Sequence, residues 1–230
     1  MEIAFTDRYG GVSASPYDEL NLARVPQGDD PAAIAENWRR VLADFAPGEA
    51  VLADMEQVHG NDVALTDGVG GRSPVCDGIV TDRRGVVLAV RVADCVPVLL
   101  ADAAAGVIGA AHAGRLGVEK GVVPATVARM RDLGATDITA WIGPHICGGC
   151  YEVPPAMQEE VAAIEPATRA TTTWGTPSLA LGAGVHAQLQ RDGVTVIEVA
   201  PCTLETEALY SHRRDGARAG RLAGLIRIRG

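Results

Sequence analysis

The chain has 230 residues, 47% of them hydrophobic, enough to bury a substantial core, and this length favours one large domain or two closely joined halves. A formal charge of -9 opposes broad attraction to polyanions, and no lysine or arginine cluster is flanked by stacking aromatics, so no nucleic-acid partner is expected. The opening MEIAFTDRYGG lacks a basic segment followed by an apolar run, and the most apolar stretch, Val86 to Leu100, is broken by Arg91 and Asp94; the expectation is a cytoplasmic protein without a membrane span.

Along the chain, Gly10 to Leu22 is rich in small and turn-forming residues and reads as loop and short strand. Asp30-Pro31 reads as an N-cap with proline at the first helical position, opening a helix from Ala32 to Phe45. Strand-like pieces follow at Ala50 to Leu52 and Val63 to Leu65, with a turn-rich stretch from Asp67 to Pro74. Short apolar runs at Gly78 to Thr81, Val86 to Val92, Val96 to Ala101 and Val107 to Ala111 have the length and continuity of buried strands. Val118 to Leu133 reads as one helix closed by Gly134, then Ile138 to Ile142 as a strand, Pro155 to Ile164 and Leu181 to Asp192 as helices, and Val194 to Val199 and Arg221 to Ile228 as strands. Strands mix with helices without strict alternation. This points to an α+β fold, mixed sheets covered by helices, in a single domain over 1–230.

Five cysteines, an odd number in a chain of this size, do not make a disulfide framework and read as thiols. Cys147 and Cys150 form one C-x-x-C, but with no second pair and a Gly-rich context unlike a thioredoxin turn they receive neither a metal nor a redox role. Three other residues sit where a buried strand meets a loop: His59 in Gln-Val-His-Gly, Cys95 in Ala-Asp-Cys-Val-Pro and His112 in Ala-Ala-His-Ala-Gly. Two imidazoles and a thiolate suit zinc and leave a fourth position for water or substrate; the same residues also read as a buried thiol with two hydrogen-bonded histidines. Asp94 reads equally as the carboxylate orienting a ligand histidine and as a cap on the strand turn. Arg115 has the fork of donors that phosphate needs, and also reads as a solvated arginine.

The ordered motifs carry a resemblance over nearly the whole chain. They run from Gly-Gly-Val-Ser with Pro16-Tyr17 and Asn21-Leu22, through Gly28-Asp29-Asp30 and Glu36-Asn37, to Gln57 to Gly60, Asp77-Gly78 with Thr81-Asp82, Ala93-Asp94-Cys95 with Pro97-Val98, and His112-Ala113-Gly114. They close with Ile142-Gly143-Pro144, Cys150-Tyr151-Glu152-Val153, Cys202-Thr203, Tyr210-Ser211-His212-Arg213-Arg214 and Gly220-Arg221. The chain resembles the purine nucleoside phosphorylase and adenosine deaminase family formerly called the polyphenol oxidase or laccase-domain (YfiH-like) family. That resemblance implies a layered α-β-β-α sandwich, Zn2+ held by His59, Cys95 and His112, phosphorolysis of adenosine, inosine, guanosine and methylthioadenosine, and hydrolytic deamination of adenosine. Purine nucleosides and phosphate are then the partners, in a monomer or small homo-oligomer; Arg115, Asn21 and Arg213 are the candidate substrate- and phosphate-binding residues, with Arg213 in a basic segment that also reads as a solvated face. After His-Ala-Gly the family usually has Trp-Arg-Gly, whereas this chain has Arg115-Leu116-Gly117, which implies a shifted substrate preference.

Two other readings stay open. Cys95 with His112 as its base would make a metal-free thiol hydrolase or amidase, and a closed fourth ligand from Cys76, Cys150 or His145 would make a non-enzymatic zinc scaffold in cell-wall or division processes. A cluster of several coppers needs more imidazoles than five histidines supply.

Overall fold

A computed structural model describes residues 1–24, 28–48, 50–68, 73–199 and 201–229. The first strand, β1 (Glu2–Phe5), precedes a loop with one isolated bridge, Ser13 to Glu19, and then α1 (Pro31–Phe45), capped by Asp30 accepting from Ala32 N. Next come β2 (Val51–Ala53), β3 (Val63–Leu65), β4 (Gly78–Thr81), β5 (Val86–Val92), β6 (Val96–Asp102) and β7 (Val107–Ala113). The second half holds α2 (Arg115–Lys120), α3 (Val122–Asp132), β8 (Thr139–Ile142), α4 (Pro155–Ile164), β9 (Arg169–Thr171), β10 (Pro177–Leu179), α5 (Leu181–Arg191), β11 (Thr195–Glu198), α6 (His212–Asp215) and β12 (Leu222–Arg227).

The strands form a four-stranded sheet in the order β1-β12-β5-β2, a six-stranded sheet in the order β11-β8-β6-β7-β4-β3, and a β9-β10 ribbon. Both large sheets are mixed: β12 is antiparallel to β5 while β2 is parallel to it, and β4 is antiparallel to β7 while β3 is parallel to β4.

Side chains alternate across a strand, and here both faces are dry. Leu88, Val90 and Val92 of β5 face Leu99 of β6 and Ile108 and Ala110 of β7 in a core between the sheets. Val87 and Ala89 point the other way, onto Val41, Trp38 and Phe45 of α1. Val96, Val98 and Leu100 of β6 face a third cluster built with Val122, Val127 and Met130 of α3 and Val185 and Leu189 of α5. The order is therefore helix, sheet, sheet, helices, the α+β sandwich expected, and burial on two faces explains why β5, β6 and β7 are apolar along most of their length.

The helix read over Val118 to Leu133 is two helices. Gly121 takes a left-handed conformation, φ 76°, which breaks the hydrogen-bond ladder and re-aims the chain, and α2 starts earlier, at Arg115. The turn-rich reading at Asp67 to Pro74 lies partly outside the described residues. β1, β9, β10 and α6 were not anticipated.

The N-terminal loop is pinned by Asn37 of α1, fully buried, whose side-chain amide donates to Ser13 Oγ (2.9 Å), Glu19 O (3.1 Å) and Asn21 O (3.0 Å) and accepts from Val12 N (2.8 Å). Asn37→Ala orphans these groups at a cost of about 1–3 kcal/mol. In a chain of this size that lowers Tm by roughly 3–10 °C; calorimetry showing no drop would contradict this account of the loop.

Candidate functional site

The β6–β7 register sets Pro97 opposite His112, so the start of β6 and the end of β7 lie together. Cys95 sits one residue before β6, and Asp77 immediately before β4, whose Gly78 pairs with Ala111. All three therefore gather at one end of the six-stranded sheet.

His59 comes from the loop between β2 and β3, and Asp77 brings it in. The buried Asp77 carboxylate accepts from Val58 N (3.0 Å), His59 N (3.0 Å) and Gly60 N (2.7 Å), wrapping the loop around itself, and accepts from His112 Nδ1 at 2.8 Å. Its peptide oxygen also accepts from His112 N. The loop holds His59 at φ 59°, a left-handed conformation uncommon outside glycine.

With Nδ1–H given to Asp77, His112 turns Nε2 toward Cys95. One donor atom from each of His59, Cys95 and His112 lies within 4.8 Å of the others, with Cys95 Sγ 3.8 Å from His59 Nε2. Zn–N of about 2.0–2.1 Å and Zn–S of about 2.3 Å around a tetrahedron separate ligand atoms by about 3.3–3.6 Å, so the donors need only small movements to fit. A carboxylate behind a ligand imidazole is also how such sites fix tautomer and ring orientation. Gly114 leaves the room: a Cβ there would lie 2.6 Å from His59 Cδ2 and 3.0 Å from Cys95 Sγ.

Burial pushes the Cys95 thiol up, but His112 and then His59 beside it outweigh burial and hold it at about 6. Burial pushes His112 down, and the Cys95 thiolate and Asp77 reverse that, raising it to about 9. Without a cation the pair is a thiolate and an imidazolium.

Two cavities of about 420 Å3 each meet at this cluster and share His59, Ala93, Cys95 and His212. One lobe is polar, with Arg24, Glu56, Gln57, Arg91 and Arg221. The other is walled by Leu116, Ile146, Tyr151 and Leu181, with Arg115 and Arg213.

A family model described as multi-copper polyphenol oxidoreductase laccase matches residues 2–229. The chain belongs to this laccase-domain family. Among curated relatives, purine nucleoside phosphorylase ORF3 of Streptomyces griseus is 53% identical over 229 residues, covering 97% of this chain and 92% of that protein. Purine nucleoside phosphorylase YfiH of Escherichia coli is 37% identical over 228 residues, covering 95% and 90%. Among solved structures, YlmD from Geobacillus stearothermophilus aligns with a TM-score of 0.88 at 30% identity over 99% of this chain and 92% of its own. A Neisseria meningitidis protein described as DUF152 gives 0.86 at 32% identity, covering 99% and 94%.

Within this laccase-domain chain the other residues singled out in the sequence fare differently. Arg115 lines the apolar lobe but is paired with Glu119 at 2.5 Å along α2, and Leu116 beside it faces the same lobe. Arg213 lies over the Tyr151 ring at 5.0 Å and donates to Glu152 O. Asn21 lines neither lobe; it is buried, with Oδ1 accepting from Ala23 N and Arg221 N and Nδ2 donating to Asp29, which makes it a clasp on the loop carrying Arg24.

Asp94 orients no histidine. Held at φ 87°, it accepts from Thr203 Oγ1 (2.6 Å) and Arg213 N (2.6 Å), and the orienting carboxylate is Asp77. None of the suggested fourth ligands joins the cluster. Cys76 Sγ lies toward Pro74 O, His145 Nδ1 against Gly143 O, and Cys150 beside Cys147 and Cys202. Asp77, Gln57, Arg24, His212 and Arg221 were missed as site residues, although all except Arg24 stand in the matched motifs.

In chelator-treated protein, carboxymethylation of Cys95 rises with pH through a midpoint near 6, well below an ordinary thiol, and zinc loading suppresses it; peptide mapping of the alkylated cysteine checks both. Asp77→Asn removes the charge behind His112, and its zinc affinity in a chelator competition falls by about 10–100-fold.

Proposed function

We propose that this chain is a zinc-dependent purine nucleoside phosphorylase that also deaminates adenosine, taking adenosine, inosine, guanosine and methylthioadenosine, with phosphate as second substrate of phosphorolysis. The observation that carries the reading is a cluster of two imidazoles and one thiolate at the junction of two cavity lobes. Among the described residues no fourth His, Cys, Asp or Glu donor joins that cluster, which argues against a closed scaffold site. The names of the relatives agree with the phosphorylase half of the proposal.

His59, Cys95 and His112 are the residues that would hold zinc, and a bound zinc supplies Lewis acidity and hydroxide at neutral pH, as hydrolytic deamination requires. Asp77 keeps His112 in the tautomer that presents Nε2, and the two imidazoles keep Cys95 a thiolate. Leu116, Ile146 and Leu181 give a purine face a dry wall. Glu56, which lines the opposite lobe beside its ion-pair partner Arg24, is the group we assign to proton transfer to departing ammonia. Arg115 and Arg213 are the cations for phosphate, held for attack at the ribose C1′.

Zinc-loaded enzyme given adenosine and phosphate yields adenine and inosine; absence of turnover of every purine nucleoside by fully loaded protein rejects the proposal. Arg115→Gln and Arg213→Gln each raise KM for phosphate by about 10-fold or more, the worth of one charge-assisted contact, and slow deamination, which uses no phosphate, far less.

A second reading draws on the thiolate–imidazolium pair of the cation-free site: Cys95 as nucleophile and His112 as base of a thiol hydrolase or amidase. Amide or thioester hydrolysis that survives chelation and is abolished by Cys95 alkylation would favour it.

A further inference from the structure

A second group of soft donors lies outside the cleft. Cys147, Cys150, Cys202 and Glu205 each place one donor atom within 4.8 Å of the others. They come from two tight turns that face each other. In the first, Cys150 N and Tyr151 N both donate to Cys147 O at 3.0 Å, folding Cys-Gly-Gly-Cys so that both thiols leave the same side. In the second, Thr206 N donates to Cys202 O at 3.0 Å, which sets Cys202 and Glu205 on one side in the same i, i+3 spacing. A parallel bridge from His145 to Cys202, with Thr203 N donating to His145 O, holds the turns in register.

Cys202 Sγ already accepts a peptide hydrogen bond, from Cys147 N at 3.4 Å. Cys147 Sγ is 3.9 Å from Glu205 Oε2, and all five cysteines are free thiols. Arg214 donates to Thr203 O and Leu204 O, bringing a positive charge beside the three thiols and Glu205.

We propose that this cluster is a second, structural zinc site, bound by Cys147, Cys150 and Cys202 with Glu205 closing the fourth position. Three thiolates in a tetrahedral set select zinc over harder cations. Binding exchanges three S–H bonds for three S–Zn bonds and releases the protons to solvent. The ion would fasten two turns that otherwise rest on a small apolar cluster of Ile146, Cys150 and Cys202. Those turns also frame the active cleft: Ile146 lines the apolar lobe and donates its N–H to Asp94 O, while Thr203 donates to the Asp94 carboxylate next to Cys95.

The test is elemental analysis and zinc-edge absorption of protein purified without chelator. The wild type holds two zinc per chain with a mean shell of about two sulfurs per metal; Cys147→Ser/Cys202→Ser loses one zinc, and His59→Ala/His112→Ala keeps one in a sulfur-rich shell. A histidine double variant that folds but holds no metal overturns the proposal. So does a wild-type shell averaging one sulfur or fewer, a measurement that stands even if the variants do not fold. A thiol titration of denatured wild type finding three thiols in place of five, with peptide mapping that joins Cys147 to Cys150, would likewise overturn it. The histidine variant separates this site from the cleft, because a sulfur-rich zinc there stands whether or not the enzyme turns over nucleosides.

Discussion

Asp77 is the constraint on which the rest of the site depends. It stands at the first residue before β4, buried, and its side chain spends its acceptor capacity on three successive amides of the His59 loop and on His112 Nδ1. A buried carboxylate is costly unless its oxygens are satisfied, and here they are satisfied only when the loop is wrapped and the imidazole is turned. His112 holds Asp77 below the usual carboxylate range despite burial, and so do the Gly60 and Val58 amides. A loop far from β7 in sequence is thereby locked beside it, and one anion positions both histidines.

Asp94 has a parallel task on the other side of Cys95. Its left-handed backbone turns the chain sharply between β5 and β6. Its peptide oxygen takes Ile146 N, and its carboxylate takes Thr203 Oγ1 and Arg213 N. The turn carrying Cys95 is therefore tied to the Cys147 turn, the Cys202 turn and α6. The apolar lobe is built largely from the segments this residue gathers, so its shape depends on how firmly the two thiol turns hold together.

At Arg115 and Leu116 the start of α2 sets the geometry. The helix starts at Arg115, so Arg115 and Leu116 are consecutive in its first turn and point about 100° apart. Both still border the apolar lobe, because the helix end faces it. Arg115 leans on Glu119 one turn along, while Leu116 adds apolar surface to the lobe.

The sequence by itself determined the strands buried on two faces, since apolar runs of five or six residues leave few alternatives, and it determined α1 through its Asp30-Pro31 start. It also named the three cleft donors, since each stands within a motif; Cys95 and His112 do sit at strand ends, whereas His59 lies in the loop between β2 and β3 rather than where a buried strand ends. What it could not supply were effects that act across space. The break at Gly121 was hidden inside an unbroken helical pattern, and β1 exists only because β12, more than 200 residues later, offers it an edge. Asp94, next to Cys95 in the chain, was the carboxylate the local pattern offered for orienting a histidine, and only strand pairing put Asp77 there instead. The Cys147-x-x-Cys150 pair looked isolated because its partners, Cys202 and Glu205, are more than fifty residues away. Local pattern fixes which residues are buried and where segments begin, whereas the meeting of distant donors is set by sheet register and loop closure, which belong to the folded chain as a whole.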